Sequence, residues 1–210
     1  FIGATIIFWL VSLFLPREHV YPKDLLVIMA GGLLGFVISL TLSAWALNYT
    51  TPVYFSFIAS LTPVATMALA ALFIGEKLSG RGVFGVIIGI VGTMLMVLMG
   101  WQGGSGSNDL LGIVLALLSM LTWAGYLIIT RSVSTKYSAV TQLKWIFLVA
   151  TIAILPFSWS DLQGATLYSS AWQWSGMLEM VFIVLIVTVI GSFATPYAMR
   201  YLPATTVSVY

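Results

Sequence analysis

The chain has 210 residues, 60% of them hydrophobic and 7% charged, with a formal net charge of +2 and a mean hydropathy of +1.09. A soluble domain carries roughly 25% charged residues, so this composition excludes a water-soluble fold, and the small, dispersed charge excludes a nucleic-acid footprint. Disulfides, thiolate nucleophiles and cysteine metal sites are excluded because there is no cysteine.

In chain order, apolar runs occupy residues 1–15, 25–48, 52–74, 83–99, 110–130, 140–159 and 177–199, with another beginning at 204. A membrane-crossing helix needs about 20 apolar residues, and backbone amides in lipid must be satisfied within their own segment. The runs are continuous, whereas barrel strands alternate, so the expected fold is an all-α polytopic bundle. The first run is short for a span and the last barely starts, so the chain is expected to be a piece of a longer protein. Between the first two runs His19 lies in a loop and reads as a solvated side chain. The Gly-rich stretch at 103–108 reads as a linker between a first half, 1–102, and a second, 109–210. It lacks the Lys-Ser/Thr pair of a phosphate loop, and neither a cofactor nor a metal is expected.

The cations supply a topology. Arg17 and Lys23, Lys77 and Arg81, and Arg200 fall in every second connection, with Arg131, Lys136 and Lys144 around the junction of the fifth and sixth runs, while the intervening connections carry none. Cytoplasmic loops collect Lys and Arg, which places the loops at 16–24, 75–82, 131–139 and 200–203 in the cytoplasm. Residue n laid over n+152 aligns Ala46, Tyr49 and Ser56 with Ala198, Tyr201 and Ser208. The charge pattern puts the connection after Asn48 outside and its counterpart after Met199 inside. The halves are therefore expected to be inverted repeats of five spans each, an architecture typical of secondary transporters.

Ala46-Leu47-Asn48-Tyr49-Thr50, Leu61-Thr62-Pro63 and Gly75-Glu76-Lys77-Leu78, with the glycines 85, 89 and 92 beyond them, carry a resemblance that Leu121-Thr122-Trp123-Ala124 and Tyr201-Leu202-Pro203-Ala204 extend. On these residues the sequence resembles the drug/metabolite transporter superfamily, in its EamA-like branch. The resemblance implies a ten-span secondary transporter, not an enzyme, of the bacterial inner membrane. Such a protein would export small organic metabolites, amino-acid-like or amphipathic, by alternating access. Its partners would be that substrate, membrane lipids and a second copy in a homodimer, with no nucleic acid. Sugars, nucleotide-sugars or other anionic metabolites are the alternative cargo within the superfamily, and a membrane-embedded enzyme or lipid-handling protein is the alternative outside it.

Polar side chains within spans are costly unless they meet a cavity or another helix. At helical spacing they form stripes: Thr41, Trp45 and Asn48; Ser56, Ser60 and Pro63; Ser119, Thr122, Trp123 and Tyr126; and Thr188, Ser192 and Thr195. Trp45, Asn48, Ser56, Ser60, Pro63, Trp123, Tyr126, Ser192 and Thr195 are the candidate cavity residues. The competing reading makes the Ser and Thr hydroxyls interhelical hydrogen bonds of about 0.6 kcal/mol each. Pro63 is expected to kink its helix. Glu179, the carboxylate inside a span, is a candidate for coupling, or complements its helix N-terminus. Glu76 is a candidate gate by family analogy. No cation lies at the middle of a span, so an anionic cargo would lack a counter-ion there; Lys144 sits near enough to an end to snorkel.

Overall fold

A computed structural model of the chain describes residues 1–16, 18–75, 108–158, 178–179 and 181–208, together with 80, 84–85, 87–88, 91–92 and 95. Its described part is a helical transmembrane bundle without strands. In chain order the helices are α1 (Ile2–Leu13), α2 (Pro22–Tyr49), α3 (Pro52–Phe73), α4 (Asp109–Ser134), α5 (Ala139–Ile154), α6 (Ile183–Tyr201) and the short α7 (Ala204–Val207). Four of these, α2, α3, α4 and α6, are long and apolar enough to cross a membrane, while α1 and α5 are shorter apolar helices.

Local chemistry sets the ends. Pro22 and Pro52 stand in the first turns of α2 and α3, where a missing N–H costs nothing. The Thr51 hydroxyl caps α3 by accepting from the Tyr54 amide at 3.4 Å, and Ser138 caps α5 by accepting from the Thr141 amide at 3.3 Å. After α3 the chain turns at Gly75, whose φ of +69° lies in the left-handed region that suits glycine.

Two helices depart from α geometry. Leu33–Ile38 within α2 and Ile183–Ile190 at the start of α6 are π-helical, a form that usually appears as single turns inside α-helices and often at functional sites. In the second, Thr188 donates its hydroxyl to the Ile183 carbonyl five residues back, at 3.2 Å. The expected kink at Pro63 is instead an interruption: α3 consists of Pro52–Ser60 and Thr62–Phe73 with a turn at Leu61. Pro63 has no N–H to give the carbonyl of Ala59, and the Thr62 hydroxyl donates to that oxygen at 2.6 Å.

The described helices form two compact units, Phe1–Leu33 with Val133–Tyr201, and Leu34–Ser132 with Leu202–Tyr210. In the first, α1 and α5 pack antiparallel, because their contacts run in opposite order. The Thr5 and Thr151 hydroxyls meet at 2.9 Å, Phe8 stacks on Phe147 at 5.4 Å, and Trp9 meets Trp145 edge-on at 5.6 Å. Gly32 of α2 lies against α5 so closely that a Cβ there would stand 3.1 Å from the Cα of Ile146. At one end the loop before α2 is tied to the turn between α4 and α5. Lys136 and Tyr137 donate to Asp24 at 3.2 and 2.9 Å, and the Ser138 amide and hydroxyl donate to Glu18, both at 3.0 Å. Partial burial works against the Glu18 charge. Hydrogen bonds from Thr141 and Ser138, and the positive charge of Arg200, outweigh it and hold the carboxyl below its usual range. The fully buried Gln142 is satisfied locally, accepting from Ser134 and donating to the Tyr137 carbonyl.

The second unit is built on the crossing of α2 and α4, with α3 against them. Ala46, Ile58 and Ala116 form its small buried core, covered by Phe55, Ile113 and Met120. Small residues set the spacing: a Cβ on Gly112 would come within 2.5 Å of the Thr50 Cβ. At that same end Thr50 donates its hydroxyl to Asp109 at 2.9 Å, and Asn108 caps α4 through the Leu111 amide.

Candidate functional site

Within the second unit, α2, α3 and α4 enclose a cleft of about 260 Å³. Its polar side chains are Ser39, Ser43, Thr62 and Ser119, and Phe55, Met120 and Trp123 supply most of its apolar wall. No charged side chain among the described residues lines it.

The hydroxyls form a clasp across the α2–α4 crossing. Ser39 donates to the Ser119 carbonyl at 3.0 Å, and Ser119 donates to the Ser39 carbonyl, also at 3.0 Å. The Ser43 oxygen lies 2.7 Å from the Ser119 oxygen. A hydroxyl has one proton and two lone pairs. Ser119 meets the Ser39 carbonyl and the hydroxyls of both Ser39 and Ser43, and either oxygen of the short Ser43–Ser119 contact can be the donor. Thr62 commits its proton to the Ala59 carbonyl. Thr62 therefore offers the cleft lone pairs, while Ser43 can accept or donate, both beside an indole ring.

Behind that ring lies an aromatic cluster. Trp123 stands 5.1 Å from Tyr126 and 5.8 Å from Phe36, and Phe36 meets Tyr126 edge-on at 5.6 Å, ring centroid to centroid. Phe36 belongs to the π-helical turn. One residue before it, Gly35 faces the Tyr126 ring so tightly that a Cβ would come within 2.7 Å of the Tyr126 Cγ. Tyr126 is fully buried, and its hydroxyl has no hydrogen-bond partner among the described residues.

Of the residues chosen from sequence, Trp123 lines the cleft and Tyr126 supports it from behind; Pro63 adjoins it through Thr62 and is half-buried. The structure does not bring Trp45, Asn48, Ser56 or Ser60 into it. Trp45 is 56% exposed, Asn48 is exposed, and Ser56 and Ser60 are exposed with their hydroxyls donated to the Pro52 and Phe57 carbonyls of their own helix. Ser192 and Thr195 are half-buried in the first unit, and Glu179 is exposed there beside Leu178, Phe182 and Ile183. Glu76 lies outside the described residues. Sequence reasoning missed Ser39, Ser43 and Thr62. Ser39, Ser43, Ala46 and Thr50 recur at helical spacing as a stripe of small residues, the signal of a close helix crossing.

A multi-helix membrane bundle with an uncharged cleft narrows the class, and comparison with known proteins decides it. Residues 1–98 and 110–210 both match the EamA-like transporter family. This chain belongs to that family. It is 26% identical over 102 residues to an uncharacterized transporter of Clostridium kluyveri, a stretch covering 48% of this chain and 33% of that protein. It is 29% identical over 126 residues to a WAT1-related protein of Arabidopsis thaliana, covering 51% of this chain and 32% of the relative. The match thus spans about a third of the length of each curated relative. A protein of known crystal structure superposes with a TM-score of 0.67 at 20% identity, over 99% of this chain and 70% of the other, and shares its fold. The EamA-like resemblance therefore holds, and the protein is an integral, multi-pass membrane protein.

Proposed function

We propose that the cleft bounded by Ser43, Thr62 and Trp123 binds the hydrogen-donating head of a small amphipathic metabolite, an amine or an alcohol, for transport. The lining carries this reading: the Thr62 hydroxyl, its proton committed to the Ala59 carbonyl, accepts, and Ser43 adds further lone pairs beside it. Phe55, Met120 and Trp123 suit an apolar body, and an indole face also attracts an ammonium group. Amino-acid-like compounds fit this description. Anionic sugars or nucleotide-sugars fit it poorly, because no cation among the described residues stands in the cleft.

The wider mechanism is alternating access by two inverted repeats, working as an exporter in a bacterial inner membrane. The two separate stretches matching one family support the repeat reading. The hydrogen bonds joining Glu18 and Asp24 to residues 136–138 support a common side for the loops at 16–24 and 131–139. Transport is to be measured on the full-length protein in proteoliposomes, with radiolabelled amines, zwitterions and organic anions presented in parallel. Saturable flux of an amine or zwitterion is expected. Ser43→Ala should lower it severalfold through KM, and Trp123→Ala should abolish it. Flux confined to organic anions, or unchanged by either substitution, refutes the assignment.

A further inference from the structure

The face shared by α1 and α5 in the first unit holds a lysine that the transport reading does not use. Lys144 is the sixth residue of α5, about 7.5 Å along the helix at 1.5 Å per residue. A lysine at that depth can snorkel to the headgroup layer. Here its ammonium is instead fixed over the Trp9 ring, 5.6 Å from the centroid, and Trp9 is steadied edge-on by Trp145. No carboxylate among the described residues pairs with it.

Beside this cation runs an apolar trough of about 410 Å³, lined by Thr5, Ile6, Trp9, Leu10 and Leu13 of α1 and by Leu148, one turn beyond Lys144 on the same face of α5. Thr5, its one hydroxyl-bearing residue among the described residues, already bonds Thr151 and the Phe1 carbonyl. Ile6 and Leu10 are 54% and 53% exposed, so the trough opens outward from the unit.

We propose that this face binds one anionic phospholipid, its phosphate on the Lys144 ammonium and an acyl chain along Ile6, Leu10 and Leu148. Charge complementarity selects the occupant. A protein helix laid in the trough would neutralise Lys144 only if it presented a carboxylate at this one position, whereas every anionic phospholipid presents its phosphodiester in the headgroup layer that a lysine near a helix end can reach, with hydrocarbon attached. Basic pockets between spanning helices bind such headgroups, and an indole beside the cation suits the interfacial layer.

The test uses the full-length protein reconstituted in vesicles of phosphatidylcholine with or without phosphatidylglycerol. The protein is then washed in detergent, and the lipid that stays bound is quantified by mass spectrometry. Phosphatidylglycerol should be retained over phosphatidylcholine. Lys144→Gln should retain about fivefold less of it, the factor expected of one cation at an anionic surface, and Lys144→Arg should retain it as the parent does. Added inorganic phosphate should not displace it, since the chain contributes to binding. A photo-crosslinking residue in place of Leu10, with Lys144 intact, should capture lipid. Equal retention by Lys144→Gln, displacement by phosphate, or a polypeptide adduct from position 10 would each overturn the proposal.

Discussion

Gly35 and Gly125 offer a controlled measurement of how tightly the α2–α4 crossing is built. Both are glycines in apolar helices of the second unit, and alanine at either gains about 1 kcal/mol of helix propensity. They differ in what a new methyl group meets. At Gly125 nothing lies within 4 Å of the added carbon. At Gly35 it would stand 2.7 Å from the Tyr126 Cγ and 3.0 Å from both Cβ and Cδ1 of that ring. The ring cannot retreat, because Phe36 and Trp123 hold it on two sides and it is fully buried. Subtracting one variant from the other cancels the propensity gain and leaves the overpacking penalty, about 1–3 kcal/mol. Gly35→Ala should therefore unfold more readily than Gly125→Ala by that amount, measured by thermal or denaturant unfolding of the full-length protein in one detergent. In a Tyr126→Ala background, where Cγ and Cδ1 are gone and only the 3.0 Å contact with Cβ remains, the gap should narrow. Equal stability of the two alanine variants, or a gap undiminished without the ring, refutes the close approach.

Removing the Tyr126 hydroxyl should raise stability, because a buried polar group left unpaired costs about 1–3 kcal/mol. Tyr126→Phe keeps every ring contact, so its melting temperature should exceed that of the parent in the absence of substrate; a decrease would mean the hydroxyl is paired in the native state. Glu18 predicts a pH dependence with a definite sign. Its carboxyl is held below the usual range in the folded protein, so its contribution is present at neutral pH and is lost as pH falls through the lowered folded value. The stability difference between the parent and Glu18→Gln should be constant from pH 7 to 5 and shrink towards pH 3; a gap that ignores pH would remove Glu18 from the contact.

The resemblance carried by residues 46–50, 61–63 and 75–78 and the helical character of the apolar runs were legible in the residues because both are local matters. In lipid each backbone amide must be satisfied within its own segment, so length and apolarity alone mark the spans, and Pro22, Pro52 and Gly75 mark ends whose dihedrals they set. The candidate site was legible only in part. Trp123 and Tyr126 stand out because large amphipathic groups are conspicuous in an apolar helix. Ser39 and Ser43 do not, being outweighed in the sequence by the larger stripe of Thr41, Trp45 and Asn48.

Sequence by itself determined that this chain is a helical, multi-pass membrane protein. Tertiary structure decided which faces of those helices meet. Lipid tails are as apolar as the helices, so no hydrophobic force selects an inward face, and close approach of small residues does. That choice set Ser39 and Ser43 against Ser119. The interruption at Leu61, where Thr62 supplies the hydrogen that Pro63 lacks, aimed the third wall of the cleft. Neither follows from periodicity, because a stripe on one helix acquires meaning only from the surface it is packed against.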